Sequence, residues 1–170
     1  MTLIVEDGTS VTGADAFISL ADAESLYLDR NGEAWSGTDP EKKAAIRRAT
    51  AFVDSLDFVG EPLNGRDQAL AFPRKNAFDR NGLEIPEDEV PKEVVTATGL
   101  LAFAESATPG ILTPTVDRAG AVKSEQVGPI RVEFAGNPGT VSFNRQVVTG
   151  AMDLLKPLIL GSNTKFVGRS

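Results

Sequence analysis

Two residue types are missing altogether: among 170 residues there is no cysteine and no histidine. Without thiols, disulfide scaffolds, cysteine redox chemistry and thiolate zinc sites are excluded. Without imidazole there can be no Ser-His-Asp triad, no histidine general base and no histidine metal ligand. Aromatics are sparse at 6%, with Trp35 and Tyr27 each the single example of its kind, a thin supply for the stacking platforms that grip single-stranded nucleic acid. No apolar run approaches the ~20 residues that a membrane-spanning helix needs. Basic side chains are outnumbered, 17 against 24 acidic, for a net charge of −7. Proteins that bind nucleic acid by neutralising phosphates normally show the opposite balance.

What remains is an ordinary globular composition, 41% hydrophobic and 24% charged. It fits one domain long enough to bury roughly two-thirds of the surface of its unfolded chain. The charge is uneven. Residues 1–60 hold 5 basic and 11 acidic side chains, whereas residues 141–170 hold 4 basic (Arg145, Lys156, Lys165, Arg169) and only Asp153 as an acid. An acidic body with a basic C-terminal end is compatible with a head-to-tail or two-partner contact. The opening Met1–Asp7 lacks the basic region and apolar core of a secretion signal, so the expected site of synthesis is a reducing cytoplasm.

The chain reads as mainly α: a small bundle of about four helices with one β-hairpin, an extended N-terminal arm and a flexible C-terminal tail. Residues 1–160 form the single domain and 161–170 the tail. The arm covers residues 1–17, where Leu3-Ile4-Val5 runs into turn-forming Asp7-Gly8-Thr9-Ser10. Ser19, with Asp22 three residues on, predicts the first helix, which Asn31-Gly32 stops. Thr38 or Asp39, Pro40 and Glu41 predict the start of the second, with Ala45, Ala49, Phe52 and Leu56 as its apolar stripe. Glycines and prolines from Gly60 to Pro86 break any regular pattern, so 57–86 reads as a long loop with at most one helical turn near Asp67–Phe72. The third helix is predicted over Asp88–Ala107. Val90, Val94, Ala97, Leu101 and Ala104 form one stripe, and Val95, Leu100 and Phe103 a second. Such a helix is either central in its own fold or packed on a neighbouring subunit. Alternation in Ile130–Phe134 after Gly128-Pro129 predicts a hairpin within 120–135, and a last helix follows from about Asn144 to Leu155, kinked or ended by Pro157.

No motif assembles a catalytic, cofactor or metal site. Gly60 to Asp67 has the glycine spacing of a phosphate loop, but Arg66 and Asp67 stand where such a loop needs Lys and Ser or Thr. Asp29-Arg30-Asn31-Gly32 recurs as Asp79-Arg80-Asn81-Gly82; turn chemistry explains it better than calcium binding, which needs further carboxylates at fixed offsets. Glu84, Glu87, Asp88 and Glu89 could in principle do acid–base work, but offsetting the dipole of the third helix is the commoner role. Lys42, Lys43, Arg47 and Arg48 could meet phosphates, yet they read better as a solvated flank or an inter-subunit salt-bridge row.

Several segments, in order, resemble one phage protein family: Leu3–Thr9 (LIVEDGT), Ala14–Leu20 with Ala23, Ala45–Thr50 (AIRRAT), Gln68–Arg74 (QALAFPR), Ile85–Pro91 (IPEDEVP) and Val122–Ile130 (VKSEQVGPI). This is the family of head–tail connector (adaptor) proteins of long-tailed phages, often labelled DnaT-like single-stranded DNA-binding proteins. The resemblance covers about residues 1–134 well and the last helix loosely; Phe72 stands where tryptophan is expected before Pro73-Arg74. It implies a virion protein made in the host cytoplasm, forming a dodecameric ring beneath the portal that extends the channel for genomic double-stranded DNA, without binding that DNA specifically. It implies as partners further copies of itself, the portal protein and a tail-side stopper or tail-terminator protein, with no membrane and no cofactor. The family's C-terminal segment reaches into the portal, which puts Lys165, Phe166, Val167 and Arg169 at that contact. Val95, Leu100 and Phe103, with Arg47 and Arg48, are the candidate subunit interface, and 57–86 or the 122–134 hairpin the tail-side contact. The alternative is a replication protein that binds single-stranded DNA through the 42–48 row. A hydrolase using the 84–89 carboxylates is a third reading, against which the dipole explanation stands.

Overall fold

A computed structural model describes residues 2–113, 124–127, 130–133 and 142–160. Four helices, α1 (Leu20–Asn31), α2 (Asp39–Asp54), α3 (Lys92–Ala107) and α4 (Ser142–Leu155), surround one core. Two short antiparallel pairs accompany them: β1 (Glu61–Pro62) with β2 (Arg74–Lys75), and β3 (Ser124–Val127) with β4 (Ile130–Glu133). The predicted tail, 161–170, lies outside the described residues.

The predicted caps are the ones used. Ser19 Oγ accepts from the Asp22 amide at 3.1 Å, and Gly32, in the left-handed region at φ 71°, donates to the Leu28 carbonyl at 2.8 Å. At α2 the Glu41 carboxylate accepts from both the amide and the hydroxyl of Thr38 at 2.8 Å. These bonds hold its pKa below the usual glutamate range, the backbone amide contributing most. The buried face of α2 is rotated from the predicted stripe. Ala45, Ile46, Ala49, Thr50 and Val53 are buried, while Phe52 is only partly covered on the flank of that face, and Leu56, also partly covered, lies beyond the helix, which ends at Asp54.

α3 starts four residues later than predicted. Val90 precedes Pro91, a position that disfavours helical backbone. The Pro91 carbonyl instead caps the helix by accepting from Val94 (2.9 Å) and Val95 (3.2 Å). Glu84, Glu87, Asp88 and Glu89 therefore lie outside the helix, and Glu93 alone is acidic in its first turn; the dipole explanation does not apply to those four. Of the two roles open to α3, the structure shows the central one. Every residue from Ala97 to Glu105 is buried, and α3 packs against α1, α2 and α4. Gly99 makes the α1 side of this packing possible: a Cβ there would come within 2.6 Å of Leu26 and 3.3 Å of Ile18. A mid-helix glycine costs about 1 kcal/mol, and close approach of the neighbouring chain offsets it.

The N-terminal segment forms no helix or strand of its own, but it is folded back on itself. Glu6 donates its amide to the Ala16 carbonyl (2.9 Å), and Asp15 and Ala16 donate to the Ile4 carbonyl. The buried Glu6 carboxylate accepts from the amides of Gly8, Ser10 and Val11 at 2.9–3.0 Å. One side chain thus replaces the regular structure this segment lacks. Gly8 (φ 102°) is required here, since a Cβ would sit 2.0 Å from the Asp88 carbonyl oxygen.

Residues 57–86 contain more order than their composition suggests. Besides β1 and β2 there is a 3₁₀ turn at Gly65–Asp67, earlier than the predicted Asp67–Phe72. The Phe72–Pro73 peptide bond is cis, and Phe72 stands edge-on to Phe17 and Phe58 with centroids 6.5 and 4.9 Å away. Arg74 organises the segment by donating to four carbonyls: Val59 (2.8 Å), Ala71 (3.1 Å), Phe58 (3.1 Å) and Gly60 (2.6 Å). Asp54 of α2 accepts the Ala71 amide at 2.5 Å. The hairpin forms within the predicted limits, with Val127 opposite Ile130. α4 starts two residues early and runs into a 3₁₀ turn at Lys156–Leu158, where Pro157 sits.

Two outcomes follow for this segment. Arg74→Ala removes four charge-assisted hydrogen bonds, and should lower unfolding free energy by on the order of 3 kcal/mol in urea titration. Burial raises the pKa of Asp54, the Ala71 amide opposing it more weakly. A raised carboxyl pKa means that the folded state binds more protons, so this group's contribution falls as pH rises from its unfolded towards its folded pKa. Asp54→Asn, which keeps an acceptor for the Ala71 amide, should therefore unfold at a higher temperature than the parent at neutral pH. Thermal melts should show that advantage vanish once pH drops below the ordinary aspartate value.

Candidate functional site

The basic row of α2 is the feature that separates the readings drawn from the sequence. Each of its four cations already has a carboxylate partner within the chain. Lys42 Nζ lies 2.7 Å from Glu24 of α1 and 5.8 Å from the centre of the Trp35 ring, a favourable cation–π arrangement. Arg47 Nε meets Asp15 of the N-terminal segment at 2.6 Å, and its Nη2 donates to the Thr2 carbonyl at 2.9 Å. Arg48 Nε meets Glu105 of α3 at 2.8 Å. Lys43 and Asp39, one turn apart on α2, are 3.7 Å apart, an exposed pair of little energetic weight.

The Arg48 pair is asymmetric. Glu105 is 2% exposed and Arg48 50%, so the arginine acts as a half-open cover over a buried acid. Glu105 also accepts the amides of Gly110 (2.8 Å) and Leu112 (3.4 Å), so its charge is compensated by hydrogen bonds as a buried carboxylate requires. The row therefore ties the N-terminal segment, α1 and α3 to α2.

The candidate interface residues divide in the same way. Leu100 and Phe103 are buried in the chain's own core, with Phe103 edge-on to Tyr27 (4.9 Å) and Trp35 (5.0 Å). Val95 is partly buried against that core. Arg47 and Arg48 have the intrachain partners just described. Trp35 is buried and stacked on Tyr27, with centroids 6.2 Å apart and planes at 19°, so the two rings suited to stacking on bases stack on each other. Lys165, Phe166, Val167 and Arg169 lie outside the described residues.

The remaining motifs are turns. Asp79 Oδ1 accepts the amides of Asn81 (2.7 Å) and Leu83 (2.9 Å), with Gly82 at φ 77°. Its pKa is held below the aspartate range, the Leu83 amide contributing most. Asn31-Gly32 is the end of α1. In the Gly60–Asp67 stretch, Leu63 donates to the Pro73 carbonyl and Asn64 to the Gln68 side chain, both at 3.2 Å, so those amides are already spent within the fold. No group of three metal-ligating side chains occurs among the described residues. A cavity of about 570 Å³ lies between the 79–86 turn, the start of α3 and Leu154 of α4. Phe78 and Leu83 at that turn are 42% and 65% exposed.

Asp15, Glu24 and Glu105 are the residues the sequence reading did not single out as partners. Glu105 carried a signal, an acid closing the apolar run Gly99–Ala104. Asp15 and Glu24 carried none, because their pairing depends on how α1 and the N-terminal segment lie across α2.

Compared with known proteins, the whole chain, residues 1–170, matches the model of a family described as "Putative DnaT-like ssDNA binding protein". No curated protein and no solved structure matches it.

If the carboxylates neutralise this row, removing them should expose it. The triple variant Asp15→Asn, Glu24→Gln, Asp39→Asn should bind a labelled oligonucleotide more tightly than the parent at low salt. Its plot of log K against log salt should steepen by about 0.7 for each cation that reaches a phosphate, read by fluorescence anisotropy.

Proposed function

The chain belongs to this DnaT-like family along its whole length, and on that footing we propose that it is a non-catalytic structural subunit, a head–tail connector of a long-tailed phage. Copies would form a ring beneath the portal, twelve-membered as the family resemblance implies, extending the channel through which genomic double-stranded DNA passes and joining capsid to tail. The observation that carries this reading is the self-neutralised row. On a chain of net charge −7, all four cations of α2 are held by the chain's own acids. Such a surface does not grip phosphates, which suits a wall along which DNA must slide. The basic segment around Lys165, Phe166, Val167 and Arg169 is assigned to the portal, and the exposed 78–84 turn within 57–86 to the tail-side component.

The family description favours a second reading, an accessory protein that binds single-stranded DNA. That activity would have to displace the acids from the α2 row or use cations elsewhere, without Trp35 as a stacking surface.

Truncation after Leu160 should leave the isolated chain folded, by circular dichroism, and abolish co-purification with the portal protein on co-expression. Retained co-purification rules out tail docking. Oligonucleotide binding by the parent that is tight and strongly salt-dependent at physiological ionic strength would establish the second reading instead.

A further inference from the structure

We propose that Asn64 is a self-modification site, converted without any enzyme through a cyclic imide to a mixture of aspartate and isoaspartate. The sequence contains three Asn-Gly pairs: Asn31-Gly32, Asn64-Gly65 and Asn81-Gly82. In such a pair the glycine amide nitrogen can attack the carboxamide carbon of the asparagine, because glycine has no side chain to stand in the way. The dipeptide chemistry is the same in all three, so the fold has to separate them.

At Asn31 and Asn81 both the attacking nitrogen and the side chain under attack are engaged. The Gly32 amide donates to the Leu28 carbonyl at 2.8 Å, and Asn31 Nδ2 donates to the Tyr27 carbonyl at 2.9 Å, closing the end of α1. The Gly82 amide donates to the Asp79 carbonyl at 3.0 Å. Asn81 is held to the Asp79 carboxylate through its own amide (2.7 Å) and, more loosely, through Nδ2 (3.4 Å). Asn64 differs. Neither its carboxamide nor the Gly65 amide has a hydrogen-bond partner among the described residues, and both residues are exposed. To bring Cγ over the Gly65 nitrogen, the Asn64 backbone must turn from its ψ of 21°. That swings the Asn64 carbonyl away from the Asp67 amide, a contact of 3.4 Å and so longer than a strong hydrogen bond. The same motion at Asn31 or Asn81 has to break the shorter bonds of Gly32 or Gly82.

The step needs no cofactor and no oxidant. The Gly65 nitrogen gives its proton to solvent and forms a bond to Asn64 Cγ. The Cγ–Nδ2 bond then breaks, and the nitrogen takes a proton from solvent and leaves as ammonia. Water opens the resulting imide ring. Opening at Cγ leaves aspartate, whereas opening at the main-chain carbonyl leaves the chain running through Cγ as isoaspartate. Either product replaces a neutral amide by a carboxylate and makes the net charge of −7 more negative by one. Isoaspartate also lengthens the main chain by one carbon. It does so where Gln68 ties the turn together, accepting the Asn64 amide and donating to the Leu70 and Pro73 carbonyls. The inference stands on this turn and is independent of the connector reading.

The test is to hold the folded full chain in mildly alkaline buffer and map its peptides by mass spectrometry over time. The peptide carrying Asn64 should gain one mass unit and split into two chromatographic forms. Its rate should exceed those at Asn31 and Asn81 by about tenfold or more, since each of those must first open hydrogen bonds. In urea sufficient to unfold the chain, the three rates should converge. Asn64→Gln should remove the fast modification and leave the other two rates as they were. Reaction at Asn64 no faster than at Asn31 or Asn81 in the folded chain overturns the proposal. So does a lead that persists undiminished in urea, which would trace it to neighbouring residues in the sequence and not to the fold.

Discussion

A helix without a solvent face constrains everything around it. From Ala97 to Glu105, α3 is buried on all sides, so α1, α2 and α4 are needed simply to cover it, and none can be removed without exposing apolar surface worth about 25 cal/mol per Å². Gly99 lets Leu26 and Ile18 close over one side. Tyr27, Trp35 and Phe103 form an aromatic cluster on another. The one acid in this stretch, Glu105, remains tolerable because Arg48 and two amides surround it. The electrostatics of the α2 row thus follow from the burial of α3 and from the elements laid across it.

That origin bears on function. A salt-bridge row that ties four parts of one fold together is occupied before any partner arrives. Positive charges that the sequence displays as a patch of four therefore cannot be counted as a patch on the folded surface. The surface that remains distinctive is the 78–84 turn, which holds exposed Phe78 and Leu83 beside a cavity with an acidic majority.

Much of the fold was legible from local rules. Ser19, Thr38, Pro40 and Glu41 mark helix starts by chemistry that acts within four residues, and Gly32 ends α1 by the same logic. The hairpin announced itself by alternation. What could not be read depended on distant neighbours. The start of α3 moved because Pro91 restricts Val90, and the apparent dipole-offsetting acids moved out of the helix with it. The order within 57–86 was hidden because it is made by one side chain, Arg74, reaching back across 14 to 16 residues to the Phe58 and Gly60 carbonyls. Of the candidate site, the basic row was visible but its partners were not. The second apolar surface of α3 was visible too, and only the packed structure says that Leu100 and Phe103 are covered from within.

The N-terminal segment shows how little sequence a shape can require. Its backbone is organised around the two oxygens of Glu6, which three amides address, and around the bare α-carbon of Gly8 against Asp88. Most other positions there contribute backbone atoms that any residue supplies. Asp7 adds a local turn, its Oδ1 accepting the amide and the hydroxyl of Thr9, so variation between homologues should pass freely at Thr12, while an acid at 6 and a glycine at 8 persist as a fixed pair, a two-letter signature holding the start of the chain to the entrance of α3.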